Sequence, residues 1–260
     1  MDCGHNMKNI PNLFTLLNLI FGCIAIVFVL QNGLIVFTND QGTQLLDIPE
    51  KIWMASLFIG LAAIIDFLDG FVARLFKASS KMGEQLDSLA DVVSFGIAPG
   101  IILYQFLRLS YAQEEGGMDV SIFWLAIAFL IPAAAAFRLA KFNLDPEQQY
   151  SFKGIPTPAV GLFIASLPLI YWNVNEAWVL KLLLNKWFLY GLIFLLSYLM
   201  VSNLPMMSLK FKDFSVKNNL HKYILLAIAI ISIVALKWLA VPVTFIAYVL
   251  VSLLFKNKIA

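Results

Sequence analysis

The chain has 260 residues, of which 61% are apolar and only 13% are charged, against about 25% charged in a typical soluble domain; mean hydropathy is +0.84. These figures exclude a soluble single domain and a disordered chain, and the lack of alternating segments of about 10 residues excludes a β-barrel. What remains is an all-α integral membrane protein, because helices are the other way to satisfy backbone groups in lipid. The formal net charge of +2 says little about partners, and nothing in the charge pattern points to nucleic acid. Cys3 and Cys23 form neither a disulfide framework nor a metal spacing.

A crossing helix needs about 20 mostly apolar residues. In chain order, eight runs qualify: 13–31, 52–74, 84–110, 120–142, 157–174, 186–203, 220–236 and 239–255. The first follows a single lysine, Lys8, and shows no small-x-small cleavage site, so it is read as a mature helix. The last two are separated by little more than Lys237 and Trp238, which predicts a tight hairpin. With the N-terminus inside, thirteen of the 18 Lys and Arg residues fall on one side. The other side holds Lys51, Arg108, Lys181, Lys186 and Lys237. This asymmetry places both termini in the cytoplasm.

Four residues are out of place in such a chain. Asp66 and Asp69 lie near the cytoplasmic end of the second run, and Asp87 and Asp91 near the same end of the third. Carboxylates at membrane depth cost several kcal/mol and normally mark function. At about 100° per residue, Asp66 and Asp69 stand about 60° apart on their helix, and Asp87 and Asp91 about 40° apart on theirs. The connection over about 75–82 is short, so the two helices are expected to be antiparallel neighbours with the carboxylate pairs facing each other. Four unpaired carboxylates would repel strongly, and Arg74 and Lys77 are too few and too near water to neutralise them. A formal charge of −4 matches two divalent ions, and oxygen-only ligands select Mg²⁺ or Mn²⁺. Gly70 follows the first pair. Gly83, Asp87 and Asp91 recur in steps of four on one stripe, where glycine lets a ligand approach the backbone.

Together the residues read Asp66-x2-Asp69-Gly70-x2-Ala73-Arg74-x8-Gly83-x3-Asp87-x3-Asp91. This resembles the signature of the CDP-alcohol phosphatidyltransferase family at every position. The flanking IPNLFTLLNLIFG (Ile10 to Gly22), SFGIAPG after Asp91, and FRLAKFN followed by FKGIPTPAVG resemble the phosphatidylserine synthase branch of that family. The resemblance implies a helical bundle of the CDP-alcohol phosphotransferase kind, with a six-helix core over 1–203 and an additional C-terminal hairpin over 204–260. It implies a homodimer in a membrane, prokaryotic rather than organellar, with the active site facing the cytoplasm. It also implies a transferase that takes CDP-diacylglycerol and L-serine, releases CMP and makes phosphatidylserine. Carried over, Asp66, Asp69, Asp87 and Asp91 would hold the metal, Asp91 would also be the general base, and Gly70, Ala73, Arg74 and Gly83 would line the CDP pocket.

The residues fit this chemistry on their own terms. A serine hydroxyl needs a positioned base within about 3 Å, and Asp91 is the deepest of the four carboxylates. Asn12, Thr15 and Asn18 recur every three residues at the cytoplasmic start of the first run; Asn18 and Thr15 are candidates to bind the CDP moiety, and Asn12 is a candidate helix cap. Arg138, Lys141 and Lys153 are candidate partners for the serine carboxylate, each equally well read as a positive-inside anchor. Ser94, on the Asp91 face, can orient the amino acid or back-bond to its own helix. The signature does not choose among acceptors. Glycerol 3-phosphate or an inositol phosphate is the alternative, although a phosphorylated acceptor calls for a denser basic cluster. A cation transport path is the reading from another class. Against it stand the apolar outer halves of the second and third runs.

Overall fold

The protein is described from a computed structural model, which covers residues 10–31, 35–38, 44–47, 51–76, 80–114, 116–144, 152–207 and 215–255. Helices occupy each of the eight apolar runs: α1 (Ile10–Leu30), α2 (Ile52–Phe76), α3 (Lys81–Asp91) continued by α4 (Ala98–Ala112), α5 (Ile122–Ala126) with α6 (Leu130–Leu144), α7 (Thr157–Asn173), α8 (Ala177–Leu183) with α9 (Lys186–Val201), α10 (Val216–Leu236) and α11 (Ala240–Leu254). Five stretches of the described residues are long and apolar enough to cross a membrane, and a sixth if α8 and α9, bent by 63°, count together. One of the five, Asn219–Leu254, is folded back on itself: Lys237 turns at φ 48° and α11 packs along α10. That is the hairpin expected from the short link. Two short antiparallel ladders accompany the helices and were not anticipated. Strand β1 (Ile35–Thr38) pairs with β2 (Gln44–Asp47), and β3 (Phe152–Lys153) pairs with β4 (Pro205–Met206).

Local chemistry explains the interruptions. Ser80 caps α3 by accepting from the Gly83 amide at 3.0 Å, and Asn185 caps α9 by accepting from the amides of Trp187 and Phe188 at 2.9 and 3.1 Å; both satisfy orphan donors at a helix start. Residues Val92–Ile97, between α3 and α4, form a π-helix. Pro99 follows it, lacks an N–H, and would drive its ring into the carbonyl four residues back in a regular helix. The wider π turn relieves that clash. A tighter 3-10 turn, Ile127–Phe129, separates α5 from α6 shortly before Pro132.

The core sits around the π segment. Phe95, Ile102, Leu103, Phe106 and Leu107 are fully buried or nearly so, and α1, α6 and α7 all pack on this stretch. Small residues let the backbones meet. A Cβ on Gly161 of α7 would lie 2.8 Å from Phe95 Cβ and 2.9 Å from Phe95 Cα, and one on Gly22 of α1 would lie 2.8 Å from Ser94 Cα. Gly154 is a different case: its φ is 75°, and a side chain there would strike the Met200 and Ser202 carbonyls at the end of α9.

Gly161→Leu should therefore lower stability by about 1–3 kcal/mol through overpacking against Phe95, read as a drop in Tm in detergent. Gly191→Ala, where nothing lies within 4 Å of the added carbon, should leave Tm unchanged or slightly raised.

Candidate metal and phosphate site

Carboxylate oxygens of Asp66, Asp69 and Asp87 come within 4.8 Å of one another. Two are contributed by α2 and one by α3, as the spacing predicted. The expectation of two helices in direct contact needs refinement, however. The backbones of α2 and α3 approach each other much less than each approaches α1, which lies along both. The aspartates reach toward one another across the space that remains. Side-chain length sets this gap: a carboxylate group lies a few ångströms from its Cα, so two helices can share an ion without touching.

Helix α1 is a strut for both sides of the cluster. Thr15 Oγ1 donates to Asp69 Oδ2 at 2.8 Å, and Asn18 Nδ2 donates to Asp91 Oδ1 at a long 3.4 Å. Thr15 and Asn18, candidates for CDP binding by sequence, are thus engaged with one carboxylate from each helix. Asn18 is fully buried and its Oδ1 has no partner. The absent side chain of Gly83 faces Asn12, whose Oδ1 would be 3.0 Å from a Cβ there. The signal for this strut was in the sequence: polar residues at every third position of one helix share a face.

Asp91, one turn below Asp87, is outside the three-carboxylate cluster and 6% exposed. It remains within Coulombic reach of Asp66, Asp69 and Asp87. Ser94, in the π segment, donates from Oγ to the Asn18 carbonyl at 3.0 Å, so it neither back-bonds to its own helix nor points freely into the site. It staples α1 to the π turn beside Asp91. Gly70 is half-buried behind Asp69, while the side chains of Ala73 and Arg74, at the end of α2, lie outside the described residues.

The three candidate cations have separate surroundings. Arg138 on α6 is 8% exposed; its Nη1 lies 3.4 Å from Thr157 Oγ1, and its Nε has no partner. The guanidinium is within Coulombic reach of Asp91. Lys141, one turn on, donates to Asn203 Oδ1 at 2.7 Å, and Lys153 lies on β3 opposite Pro205. Asn143 donates to Ser88 Oγ at 2.9 Å, tying the end of α6 to α3. Thr157, fully buried at the start of α7, was missed by the sequence reading; a threonine between two prolines reads as a helix start and nothing more.

The donor set fits a hard divalent cation. It is all oxygen, three carboxylates converge, and Asp87 Oδ1 is buried with no hydrogen-bond partner. An orphaned carboxylate oxygen in a low-dielectric site is costly unless a cation or a proton meets it.

The family model for CDP-alcohol phosphatidyltransferase matches residues 8–201. Among curated proteins, the chain is 34% identical over 220 residues to a Helicobacter pylori protein named CDP-diacylglycerol--serine O-phosphatidyltransferase, covering 84% of this chain and 78% of that one. A Mycobacterium bovis protein of the same name is 30% identical over 254 residues, 94% of this chain and 77% of that one. One from Bacillus subtilis is 30% identical over 165 residues, 64% of this chain and 78% of that one.

Titration calorimetry with Mn²⁺ tests the cluster. Asp87→Asn should abolish measurable binding, and Thr15→Val should weaken it about tenfold by freeing Asp69 from its donor. Asp119→Asn, on the exposed turn after α4, should bind as the wild type does.

Proposed function

Since the chain belongs to the CDP-alcohol phosphatidyltransferase family, we propose that it transfers the phosphatidyl group of CDP-diacylglycerol to the hydroxyl of L-serine, releasing CMP and forming phosphatidylserine. The observation that carries this reading is the convergence of three carboxylates, one with an orphaned oxygen, beside a buried fourth. The names of the relatives supply the acceptor.

In this proposal Asp66, Asp69 and Asp87, with Asp91 at the edge, hold Mg²⁺ or Mn²⁺, two ions matching four formal charges. A divalent ion bound there neutralises charge that builds up on the phosphates during transfer. Asp91 is the general base. It takes the proton of the serine hydroxyl as the serine oxygen forms its bond to the lipid-side phosphorus; the bond from that phosphorus to the CMP oxygen breaks, and CMP leaves with the electron pair. Asn18 holds the Asp91 carboxylate through its Nδ2. Its own orphaned Oδ1, with Gly70, Ala73, Arg74, Gly83 and Thr15, belongs to the wall of the CDP site. Arg138 receives the serine carboxylate, an assignment supported by its burial and its unpartnered Nε. Lys141 and Lys153 are the further candidate partners for that carboxylate, and Ser94 orients the acceptor indirectly through α1.

The same reading gives the chain eight crossings, with a six-helix core over 1–203 and an additional hairpin over 204–260. It puts both termini and the site on the cytoplasmic side of a prokaryotic membrane, and two copies in a homodimer. The excess of basic residues on one side supports the orientation.

Release of CMP from CDP-diacylglycerol should require both L-serine and Mn²⁺ or Mg²⁺, with glycerol 3-phosphate unable to replace serine. Asp91→Asn should cut kcat by about 10²- to 10⁴-fold, the range for a lost general base, with KM for CDP-diacylglycerol little changed. A normal kcat in that variant would overturn the base assignment, and turnover with glycerol 3-phosphate alone would overturn the acceptor.

A further inference from the structure

Three helices bring one buried polar residue each to the same depth in the bundle. Helix α6 runs antiparallel to α3 and α4. Asn143 bonds Ser88 at 2.9 Å, and a Cβ on Gly96 would lie 3.1 Å from Ala135 Cβ. Asp91 on one side and Arg138 on the other both fall between these two contacts. Helix α7 runs parallel to α4: Gly161 meets Phe95, and Tyr171 packs edge-on against Phe106 with ring centroids 6.0 Å apart. Thr157 lies one turn before Gly161, and Asp91 one turn before Phe95, so Thr157 shares that depth. Arg138 and Thr157 meet there, with Nη1 3.4 Å from Oγ1.

Two donors are unspent at this contact. The Arg138 Nε–H is buried without a partner. Thr157 Oγ1 accepts from Arg138, and among the described residues nothing accepts its own hydroxyl hydrogen. The guanidinium also has no carboxylate within ion-pair distance among the described residues. Thr157 is the first residue of α7, a helix of 17 residues, so the pair stands at the positive end of a helix dipole. The backbone of that first turn has little left to bind an anion. Pro158 has no N–H, and the amides of Ala159 and Val160 both bond the Pro156 carbonyl, at 3.1 and 3.2 Å. The hydroxyl takes their part, and its place is fixed. Just before it, the Gly154 and Ile155 amides donate to the Leu204 and Leu199 carbonyls at 2.8 and 3.1 Å. Buried donors without acceptors, beside a buried positive charge without a counter-ion, fit a ligand that is negative and only accepts, a carboxylate above all.

We propose that Thr157 is a binding residue of the acceptor subsite: its hydroxyl and the Arg138 Nε–H donate together to the carboxylate of an amino-acid acceptor at the N-terminus of α7. Thr157 then helps to select an acceptor that carries a carboxylate. This inference rests on the serine reading above and deepens it. A phosphate of the donor lipid presents similar chemistry, and the two substrates' KM values separate the sources.

Steady-state kinetics of the full chain in mixed micelles tests it, with Thr157→Val, Thr157→Ala, Thr157→Ser and Ser166→Ala. Thr157→Val should raise KM for serine about tenfold, the scale of one lost hydrogen bond to a charged group, with KM for CDP-diacylglycerol within twofold and Tm nearly unchanged. Thr157→Ser should keep the wild-type serine KM. Thr157→Ala differs from it by the hydroxyl alone and should match Thr157→Val; that pair decides the matter where valine disturbs the fold. Ser166→Ala removes a buried hydroxyl of the same helix, bonded to the Phe163 carbonyl, and should leave the serine KM unchanged. An unchanged serine KM in Thr157→Val or Thr157→Ala would overturn the proposal. So would a Thr157→Ser as impaired as Thr157→Ala, which would assign the effect to packing, or a rise in KM for CDP-diacylglycerol instead of serine, which would assign the anion to the donor lipid. A wild type that releases no CMP in response to serine would overturn the acceptor reading and this inference with it. A wild type that does, alongside unaffected Thr157 variants, would overturn this inference alone.

Discussion

Three carboxylates held with oxygens within 4.8 Å repel one another, by roughly 3–4 kcal/mol per pair at that separation and an effective dielectric of about 20. Everything around the site either opposes that repulsion or exploits it. The opposition is structural and comes from α1, whose Thr15 holds Asp69 of the cluster and whose Asn18 holds Asp91 beside it. These two hydrogen bonds cannot cancel the charge. They hold Asp69 and Asp91 in place, so that in the proposed metal-bound state a divalent cation would meet oxygens already gathered. A site whose ligands must be gathered at the moment of binding would bind more weakly.

The same helix connects the site to the core. Ser94 hydrogen-bonds the Asn18 carbonyl, and Gly22 lets the two backbones come close enough for that bond. The π turn that carries Ser94 begins immediately after Asp91. Because a π turn has more residues per turn than an α-helix, it shifts the faces of α3 and α4 relative to each other. Asp87 and Asp91 are aimed at α1 and α2, while Phe95, Ile102 and Phe106 are aimed at α7 and the core. A continuous α-helix through 81–112 would keep one phase throughout and could not serve both purposes as well. The tight glycine contacts at 22, 96, 100 and 161 all fall around this change of phase.

Much of this was legible beforehand, and for physical reasons. Apolar runs long enough for a bilayer can hardly form anything but helices, so the helices fall where hydropathy puts them. Acidic residues inside such runs are so costly that their spacing is informative, and Asp66, Asp69 and Asp87 do converge. Other features depend on which helices become neighbours, and periodicity within one helix does not carry that information. The intervening position of α1, the pairing of Thr15 with Asp69, and the tie from Ser94 to a different helix all belong here. The π turn left a local trace in Pro99, but proline alone does not distinguish a π turn from a kink or a break.

The central claim is that acidic side chains of α2 and α3, braced by α1, grip divalent cations at the phosphates of a nucleotide-activated lipid. Anomalous scattering from crystals grown with Mn²⁺ and CDP-diacylglycerol tests it most directly. The account predicts manganese peaks among the oxygens of Asp66, Asp69 and Asp87, with the pyrophosphate against them. Ordered lipid nucleotide elsewhere, with these three side chains turned to separate partners and no peak between them, would contradict it.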